Sequence, residues 1–136
     1  MFRKYLPKDR DALIHLWTSV FDDSAKHNDP AKMIDDKLEI DDLLFVLEHE
    51  GVLVSACIAG YDGHRGWLYS VATLPTYRRH GFAKTVVTST IQALRQLGCG
   101  KVNLQIRGSN TSVKSFYESL GFCVEDRLSM SIFTTE

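Results

Sequence analysis

The sequence predicts an α/β domain built on one mixed central sheet. Three observations favour this fold class. Apolar periodicity along the 136 residues gives the element order β-α-α-β-β-β-α-β-α-β-β. In the middle of the chain a long helical segment lies between two strand segments, which is typical of a parallel βαβ crossover. Short turns elsewhere predict hairpins, so the flanking strands should be antiparallel neighbours.

The N-terminal part of the chain predicts a strand, two helices and a second strand. Met1–Tyr5 is a short candidate strand, and Asp9–Val20 carries apolar residues at helical spacing. Asp29 and Pro30 look like an N-cap followed by proline at the first helical position, so a second, weaker helix should begin there. The apolar run Leu43–Leu47 then predicts a β-strand.

The next two strands are expected to form a hairpin. Val52–Tyr61 is the longer strand, and it is followed by the glycine-containing turn Asp62–Gly66. Trp67–Leu74 is the strand that leaves this turn. Pro75 ends that strand, because proline has no N–H to donate to a sheet ladder.

The C-terminal part predicts two helices and up to three strands. Gly81–Leu97 is a long amphipathic helix, and Lys101–Ile106 alternates apolar and polar residues as a strand does. Ser112–Leu120 is the last predicted helix, and a glycine follows it. The final elements are two strands of a hairpin, Phe122–Glu125 and Leu128–Phe133.

Length and composition are ordinary for a soluble globular protein, with 44% apolar and 24% charged residues. The net charge of -1 indicates neither nucleic-acid nor membrane binding, and no segment predicts a secretory signal or a membrane span. The three cysteines lack metal-ligand spacing, so we expect free thiols and no metal site. The sequence therefore predicts one cytoplasmic domain, residues 1–136.

The segment from Thr73 to Ala83 is the most informative. A strand ends, a proline turns the chain, and the small residues Gly81 and Ala83 open a long helix. The first N–H groups of a helix have no partners within it, so an anion such as a pyrophosphate can bind there. A surface turn with a basic cluster is the alternative. The basic residues of the cluster are Arg78, Arg79, His80 and Lys84.

Two motifs resemble the GCN5-related N-acetyltransferase (GNAT) superfamily. The segments Thr73-Leu74-Pro75 and Arg78-Arg79-His80-Gly81-Phe82-Ala83 match its pattern of a β-branched residue, any residue and Pro, followed by Arg/Gln-x-x-Gly-x-Gly/Ala. A second motif of the family matches Asn110-x-x-Val113-x-x-Phe116-Tyr117-x-x-x-Gly121-Phe122. The stretch from Leu104 to Phe122 is most similar to small bacterial members of the ribosomal-protein alanine acetyltransferase type.

The resemblance implies the GNAT fold, a mixed sheet of about six or seven strands with four flanking helices. Trp67–Leu74 and Lys101–Ile106 would be its splayed parallel strand pair. It also implies acetyl-CoA as cosubstrate and direct attack of a primary amine on the thioester. The amine could belong to a small molecule, a protein N-terminus or a lysine. The resemblance also leads us to expect a monomer or a homodimer.

The resemblance also assigns roles to residues. The Val71 N–H would polarise the thioester carbonyl, and the backbone of Ala72 and Thr73 would bind the pantetheine arm. Asn110 would touch the pantetheine, and Tyr117 would protonate the leaving thiolate, although Tyr117 could instead only pack its helix onto the sheet. The remaining cofactor-binding residues, whose amides would hold the pyrophosphate, are Arg78, Arg79, His80, Gly81, Phe82, Ala83 and Lys84.

The general base is not identified by the motifs. The family type uses a Glu on the strand before the second motif, and here that position is Gln105. Glu48, Asp62 or His64 could act through water, or solvent could serve. A non-catalytic acyl-CoA-binding module, or an unrelated nucleotide-binding domain, therefore remains an alternative function.

The acceptor pocket in this fold usually lies between the helix 1–helix 2 connection and the final hairpin. Here these are Phe21–Pro30 and Asp126–Ser131. Asp22, Asp23 and Asp29 could receive a cationic amine, or they could form a solvated acidic loop.

Overall fold

The structure is a computed structural model that describes residues 1–21 and 28–135. The chain divides into two compact units, Met1–Gln105 and Ile106–Glu136. The first unit contains a five-stranded sheet and, in its described residues, three α-helices. In chain order these are β1 (Phe2–Lys4), α1 (Arg10–Val20), α2 (Pro30–Ile40), β2 (Leu44–His49), β3 (Val52–Tyr61), β4 (Gly66–Thr73), α3 (Phe82–Gln96) and β5 (Val102–Asn103).

The sheet is mixed, as the sequence predicts. Its strand order is β1-β2-β3-β4-β5, and the first four strands are antiparallel neighbours. The helix α3 connects β4 to β5, and these two strands are parallel. The α/β fold class and the parallel βαβ crossover are therefore confirmed.

Helices cover both faces of this sheet. On one face, α1 and α2 contribute Leu13, Leu16, Trp17 and Ile34 to a core that also contains Ala56 and Ile58 of β3. Side chains alternate along a strand, so Cys57 projects to the opposite face, where it interacts with Thr90 of α3. The fully buried residues of α3 are Val86, Val87, Thr90 and Leu94.

Local chemistry explains where α2 begins. The Asp29 side chain accepts a hydrogen bond from the Lys32 backbone N–H at 3.1 Å, and Pro30 occupies the first turn. This confirms the predicted N-cap, which satisfies one of the amides that a helix start leaves without a partner. The neighbouring residues 22–27, which include the acidic candidates Asp22 and Asp23, lie outside the described part of the chain.

The second unit contains one helix in its described residues, α4 (Thr111–Ser119). The Asn110 side chain caps it by accepting from the Val113 N–H at 3.3 Å. Within this unit, the Tyr117 ring packs edge-on against Phe116 and Phe122 at centroid distances of 5.0 and 5.4 Å.

The prediction of six or seven strands is wrong for the described residues, because the sheet has five. The hairpin expected at Phe122–Glu125 and Leu128–Phe133 does not form strands, and β5 is shorter than the predicted Lys101–Ile106. A strand needs a neighbour for its backbone groups, which alternating side chains alone do not provide. In the described residues no helix has the length and apolarity required to cross a bilayer.

Candidate functional site

The parallel pair β4–β5 separates after its first two residues. The register joins Gly66 to Val102 and Trp67 to Asn103, and within residues 1–105 it ends there. The β4 backbone from Leu68 onward is thus paired by β3 on one side only in this part of the chain. An exposed strand edge of this kind can bind an extended ligand as an additional strand.

Gly66 lies at the start of the β4–β5 pairing, where the two strands are closest to the end of α3. A Cβ built at this position would lie 2.7 Å from the Cys99 Sγ and 3.2 Å from a methyl group of Leu94. The Gly66 N–H donates to the Lys101 carbonyl at 2.9 Å. Glycine is therefore required where β4, β5 and the end of α3 meet, and the two strands separate after the next pair, Trp67 and Asn103.

A β-bulge interrupts β4 at the predicted thioester position. Ala56 pairs with Ala72 and Ile58 with Tyr69, so Cys57 alone faces both Ser70 and Val71. The φ angle of Ser70 is 52°, in the left-handed region that non-glycine residues seldom adopt. A bulge changes the direction of the following backbone groups, which here are those of Val71.

Two side chains hold the bulge in place. The Trp17 indole Nε1–H donates to the Ser70 carbonyl at 2.9 Å, and Trp17 is 1% exposed. On the other side of Val71, the buried Ser55 hydroxyl donates to the Ala72 carbonyl at 2.7 Å and lies 3.0 Å from the Thr73 hydroxyl. The carbonyls flanking Val71 are therefore both fixed by side chains.

Sequence reasoning missed Trp17 and Ser55 as parts of this site. Trp17 fits the apolar spacing of its helix, and nothing in that pattern shows where its N–H points. Ser55 does carry a signal, because it is a hydroxyl side chain within the apolar strand β3. A buried hydroxyl needs a hydrogen-bond partner, but the identity of that partner depends on register.

The predicted phosphate loop follows β4 directly. The Leu74 N–H donates to the Val54 carbonyl at 2.8 Å, and Pro75–Tyr77 form a single 3-10 turn. Gly81 then has a φ of 80° and precedes α3. Nothing lies within 4 Å of a Cβ built at Gly81, so its backbone conformation, not crowding by the protein, favours glycine there.

The start of α3 presents amides with no acceptor inside the helix. The first i to i−4 bond runs from the Thr85 N–H to the Gly81 carbonyl at 3.0 Å. The N–H groups of Phe82, Ala83 and Lys84 precede that bond and point out of the helix end. Together with the helix dipole they can bind an anion. The basic side chains around them are all exposed, namely Arg78, Arg79, His80 and Lys84.

An aromatic cluster packs this loop against the end of strand β2. The Phe82 ring lies 4.9 Å from the imidazole of His49 on β2, measured between centroids. His80 and Tyr77 contact the same ring at 5.8 and 6.3 Å. Phe82 therefore packs the loop, and its predicted contribution to cofactor binding is through its backbone amide.

The structure brings the first-unit candidates together. Val71, Ala72 and Thr73 occupy the end of β4, and Arg78 to Lys84 begin within five residues of them. Val71 and Thr73 are half-buried, whereas Ala72 is 4% exposed. Along the chain, the unpaired side of β4 is thus followed closely by the free amides at the start of α3.

Asn110 and Tyr117 belong to the second unit. The Asn110 Oδ1 is used as the cap of α4, and its predicted contact with pantetheine stays a prediction. Tyr117 is 7% exposed. Its ring packs against the neighbouring aromatic rings of Phe116, in the same helix, and Phe122, which follows that helix. Its role as an acid also stays a prediction.

The carboxylates considered as the general base are already engaged. Glu48 forms an ion pair with Arg3 at 2.9 Å. The Asp62 Oδ1 accepts from the N–H groups of Arg65 and His64, both at 2.7 Å, and these bonds hold the pKa of Asp62 below its usual range. A carboxylate with a lowered pKa is a weaker base.

The turn that carries His64 is distant from the thioester position. It precedes β4, and a rise of about 3.3 Å per residue places the start of that strand roughly 16 Å from Val71. His64 is exposed in this turn. Of the other acceptor-site candidates, Asp29 caps α2, and Asp126–Ser131 is exposed without regular structure.

The described residues show neither a metal-ligand cluster nor a reactive thiol at Cys57. No group of His, Cys, Asp and Glu side chains there could hold a metal ion. Burial raises the pKa of the Cys57 thiol to about 12, so it stays protonated at neutral pH.

Comparison with known proteins agrees with the fold. Residues 10–122 match the model of the Acetyltransferase (GNAT) family. An acetyltransferase of Sodalis glossinidius is 38% identical over 125 residues, which cover 91% of this chain and 87% of that protein.

Two solved structures share the fold. One is the ribosomal-protein-S18-alanine N-acetyltransferase from Escherichia coli, with a TM-score of 0.78 and 22% identity over 89% of this chain and 76% of that one. The other is AAC(6')-Iy in complex with the bisubstrate analogue CoA-S-monomethyl-acetylneamine, with a TM-score of 0.80 and 19% identity over 99% and 98% of the two chains.

Proposed function

The chain belongs to the acetyltransferase (GNAT) family, and we propose that it transfers an acetyl group from acetyl-CoA to a primary amine. One observation carries the proposal. Within residues 1–105 the β4 backbone after Trp67 is paired on one side only, it carries a bulge at Val71, and a 3-10 turn and a short loop lead from it to the free amides at the start of α3. A thioester arm that ends in a pyrophosphate fits a strand edge followed by a helix N-terminus.

The pantetheine arm would bind as an additional strand beside β4. Its amide groups would pair with the backbone of Ala72 and Thr73, which the Ser55 hydroxyl holds in place. The pyrophosphate would lie on the amides of Phe82, Ala83 and Lys84, with the exposed arginines Arg78 and Arg79 adding charge-assisted hydrogen bonds.

The Val71 N–H would polarise the thioester carbonyl. The neutral amine attacks the carbonyl carbon, the C–S bond breaks, and the negative charge that develops on the oxygen is stabilised by this donor. A preorganised donor of this kind is typically worth about 3–4 kcal/mol of transition-state stabilisation. Because the bulge is held from both sides, the N–H needs little reorganisation during the reaction.

Two protons must move to complete the reaction. Tyr117 would donate its phenolic proton to the leaving thiolate, since a phenol is protonated at neutral pH. The attacking nitrogen would lose its extra proton to solvent, because the carboxylates of Glu48 and Asp62 are engaged in other interactions.

We propose that the chain forms one acetyltransferase domain, because the family match over residues 10–122 covers most of the first unit and extends into the second. The cytoplasmic location, the monomeric or homodimeric state and the lack of nucleic-acid or membrane binding stay predictions.

Calorimetric titration with acetyl-CoA, ATP and NAD tests the proposal first. We expect acetyl-CoA and CoA to bind and the other two nucleotides not to bind. Release of the CoA thiol in the presence of amines then tests turnover. Binding without turnover on any amine would favour the non-catalytic acyl-CoA-binding module, which Gln105 at the expected Glu position keeps as the second candidate. Failure of acetyl-CoA to bind would disprove both.

A further inference from the structure

An aromatic pair lies on β4 just before the bulge. Trp67 and Tyr69 stack with their ring centroids 6.3 Å apart and their planes 19° from parallel. Their register partners on β3 are Gly60 and Ile58, and Ile58 belongs to the core beneath α1 and α2. Paired residues project to the same face of a sheet, so both rings lie on the α1–α2 face.

These rings are accessible. Tyr69 is 49% exposed, although it lies in the middle of a sheet strand. Gly60, opposite Trp67, has no side chain to cover the indole. The buried neighbour Leu68 projects to the other face, so the accessible aromatic surface is confined to one side of β4.

A carboxylate accompanies the aromatic pair. Asp62 directly follows β3 in the turn to β4, two residues after Gly60, which is the register partner of Trp67. Burial chiefly, and the negative charge of Asp62 in addition, raise the pKa of the Tyr69 phenol. Two backbone N–H groups keep Asp62 ionised. The nearby Arg65 guanidinium is directed to His64, whose carbonyl accepts from it at 3.1 Å.

The position of this surface relative to the thioester defines what it can bind. At about 3.3 Å per residue, Tyr69 and Trp67 lie roughly 7 and 13 Å before Val71 along the strand. The nitrogen that attacks the thioester must be neutral. A cation that binds to the two aromatic rings is therefore a second nitrogen of the same acceptor. One or two short carbon chains would separate it from the nitrogen that attacks the thioester.

We propose that Asp62, Trp67 and Tyr69 form a subsite for a second, protonated nitrogen of a linear diamine or polyamine acceptor. The proposal rests on the proposed acetyltransferase function. Aromatic faces attract ammonium groups, and the carboxylate adds charge complementarity. Two rings and one carboxylate are too small an area for a stable protein interface, which takes about 20–30 residues on each side, so the occupant is a small molecule.

Matched acceptors test the proposal in the full-length protein. We expect kcat/KM for 1,4-diaminobutane to exceed that for butylamine about tenfold or more. Trp67→Leu, Tyr69→Leu and Asp62→Asn should each remove most of this preference by raising the KM for the diamine. Butylamine turnover and the affinity for acetyl-CoA should change little.

Tyr61→Leu is the matched control. Tyr61 lies on the opposite face, where its hydroxyl is 3.9 Å from the position of a Cβ on Gly98. The same substitution there should leave the diamine preference unchanged. A leucine variant that fails to bind acetyl-CoA is misfolded at the site. Trp67→Phe and Tyr69→Phe then replace the leucine variants, and we expect them to lose less of the preference for the diamine.

Fluorescence provides a readout that does not need turnover. The chain has two tryptophans, and Trp17 is buried, so 1,4-diaminobutane should change the emission of Trp67 and butylamine should not. Trp67→Phe should abolish the change. Equal responses to the two amines, or a basic peptide acetylated in preference to the diamine, would overturn the polyamine subsite. Failure of acetyl-CoA to bind would instead overturn the proposed function.

Discussion

The Trp17 indole N–H donates to the Ser70 carbonyl at 2.9 Å and so ties helix α1 to the bulge in strand β4. Ser70 has a left-handed φ of 52°, which costs of order 1–3 kcal/mol for a non-glycine residue and persists only where the surroundings enforce it. The buried indole supplies that enforcement. The direction of the Val71 N–H, the proposed oxyanion donor, therefore depends on a side chain from a different element.

Trp17→Phe should lower activity more than it lowers stability. The substitution keeps most of the apolar volume but removes the donor to Ser70, which should cost about 1–3 kcal/mol in the free energy of unfolding. We expect kcat to fall about tenfold, with a smaller change in the KM for acetyl-CoA, because the Val71 N–H is less well oriented. Urea unfolding and steady-state kinetics measure the two effects.

Leu13→Val provides the control for Trp17→Phe. Leu13 is fully buried in the same helix, and its truncation should cost about 1 kcal/mol without reaching the bulge. If Trp17→Phe lowers kcat no more than Leu13→Val does, the indole is only a core side chain.

The bulge also shows where sequence reasoning ends. The turn and the helix start between Thr73 and Ala83 could be predicted because Pro75, Gly81 and the start of α3 are local signals within one short segment. The contact between Trp17 and Ser70 joins residues 53 positions apart, and the irregular register opposite Cys57 has no local signature. The loop was therefore predictable, and the device that orients the Val71 N–H was not.

At the C-terminal segment, a local sequence pattern predicts a strand that the structure does not contain. Leu128, Met130 and Ile132 alternate with polar residues, which is the pattern of a half-buried strand. In the structure these side chains are 88–92% exposed and the segment forms no ladder. Periodicity identifies a face that could be buried, but burial requires a surface to pack against.

Gly81→Asn and Gly81→Asp should distinguish the effect of the backbone conformation at residue 81 from the effect of a negative charge there. Both side chains are among those that tolerate a left-handed φ, and nothing in the protein obstructs a Cβ at this position. The two variants should therefore have similar melting temperatures. We expect Asp to weaken acetyl-CoA binding at least tenfold more than Asn, because it adds a negative charge beside the pyrophosphate.

Calorimetry at low and at high salt measures this difference. Screening shortens the range of the repulsion, so the gap between the two variants should narrow as salt is added. Equal affinities for the Asn and Asp variants at low salt would show that the pyrophosphate does not bind near Gly81.

Charges at the two ends of α3 should have opposite effects on stability, and only the charge at the N-terminal end should affect acetyl-CoA binding. Lys84 lies in the first turn, where a cation opposes the helix dipole, and Arg95 lies in the last turn, where a cation is favourable. Lys84→Gln should thus raise the free energy of unfolding by about 0.3–1 kcal/mol, and Arg95→Gln should lower it by a similar amount.

The more stable of the two variants should be the one that binds acetyl-CoA less tightly. Lys84→Gln should weaken acetyl-CoA binding about three- to tenfold, and Arg95→Gln, at the far end of the helix, should leave it unchanged. Thermal unfolding and calorimetry on the two proteins measure both quantities. A loss of affinity in the Arg95 variant, or none in the Lys84 variant, would contradict the proposed location of the pyrophosphate.

Asp9 should make stability depend on pH in the acidic range. Its carboxylate accepts two hydrogen bonds from the Arg3 guanidinium at 2.7 and 2.9 Å and one from the Leu6 N–H at 2.8 Å. The Arg3 bonds chiefly, and the Leu6 bond in addition, lower the pKa of Asp9 in the folded protein. The ionised form is therefore stabilised by folding.

The sign of the effect follows from this shift. The folded pKa lies below the unfolded value of about 3.9, so the contribution of Asp9 is complete above that value and is lost as the pH falls through the folded pKa. Asp9→Asn should cost about 1–3 kcal/mol in the free energy of unfolding at pH 7. The difference in the free energy of unfolding between wild type and variant should be constant from pH 6 to 8 and should shrink below about pH 4.

Urea unfolding at pH 7, 5 and 3.5 measures this difference. The control is Asp11→Asn, an exposed position in the first turn of α1. A difference that stays the same at pH 3.5 would show that the Arg3–Asp9 pair does not stabilise the fold through the ionised carboxylate.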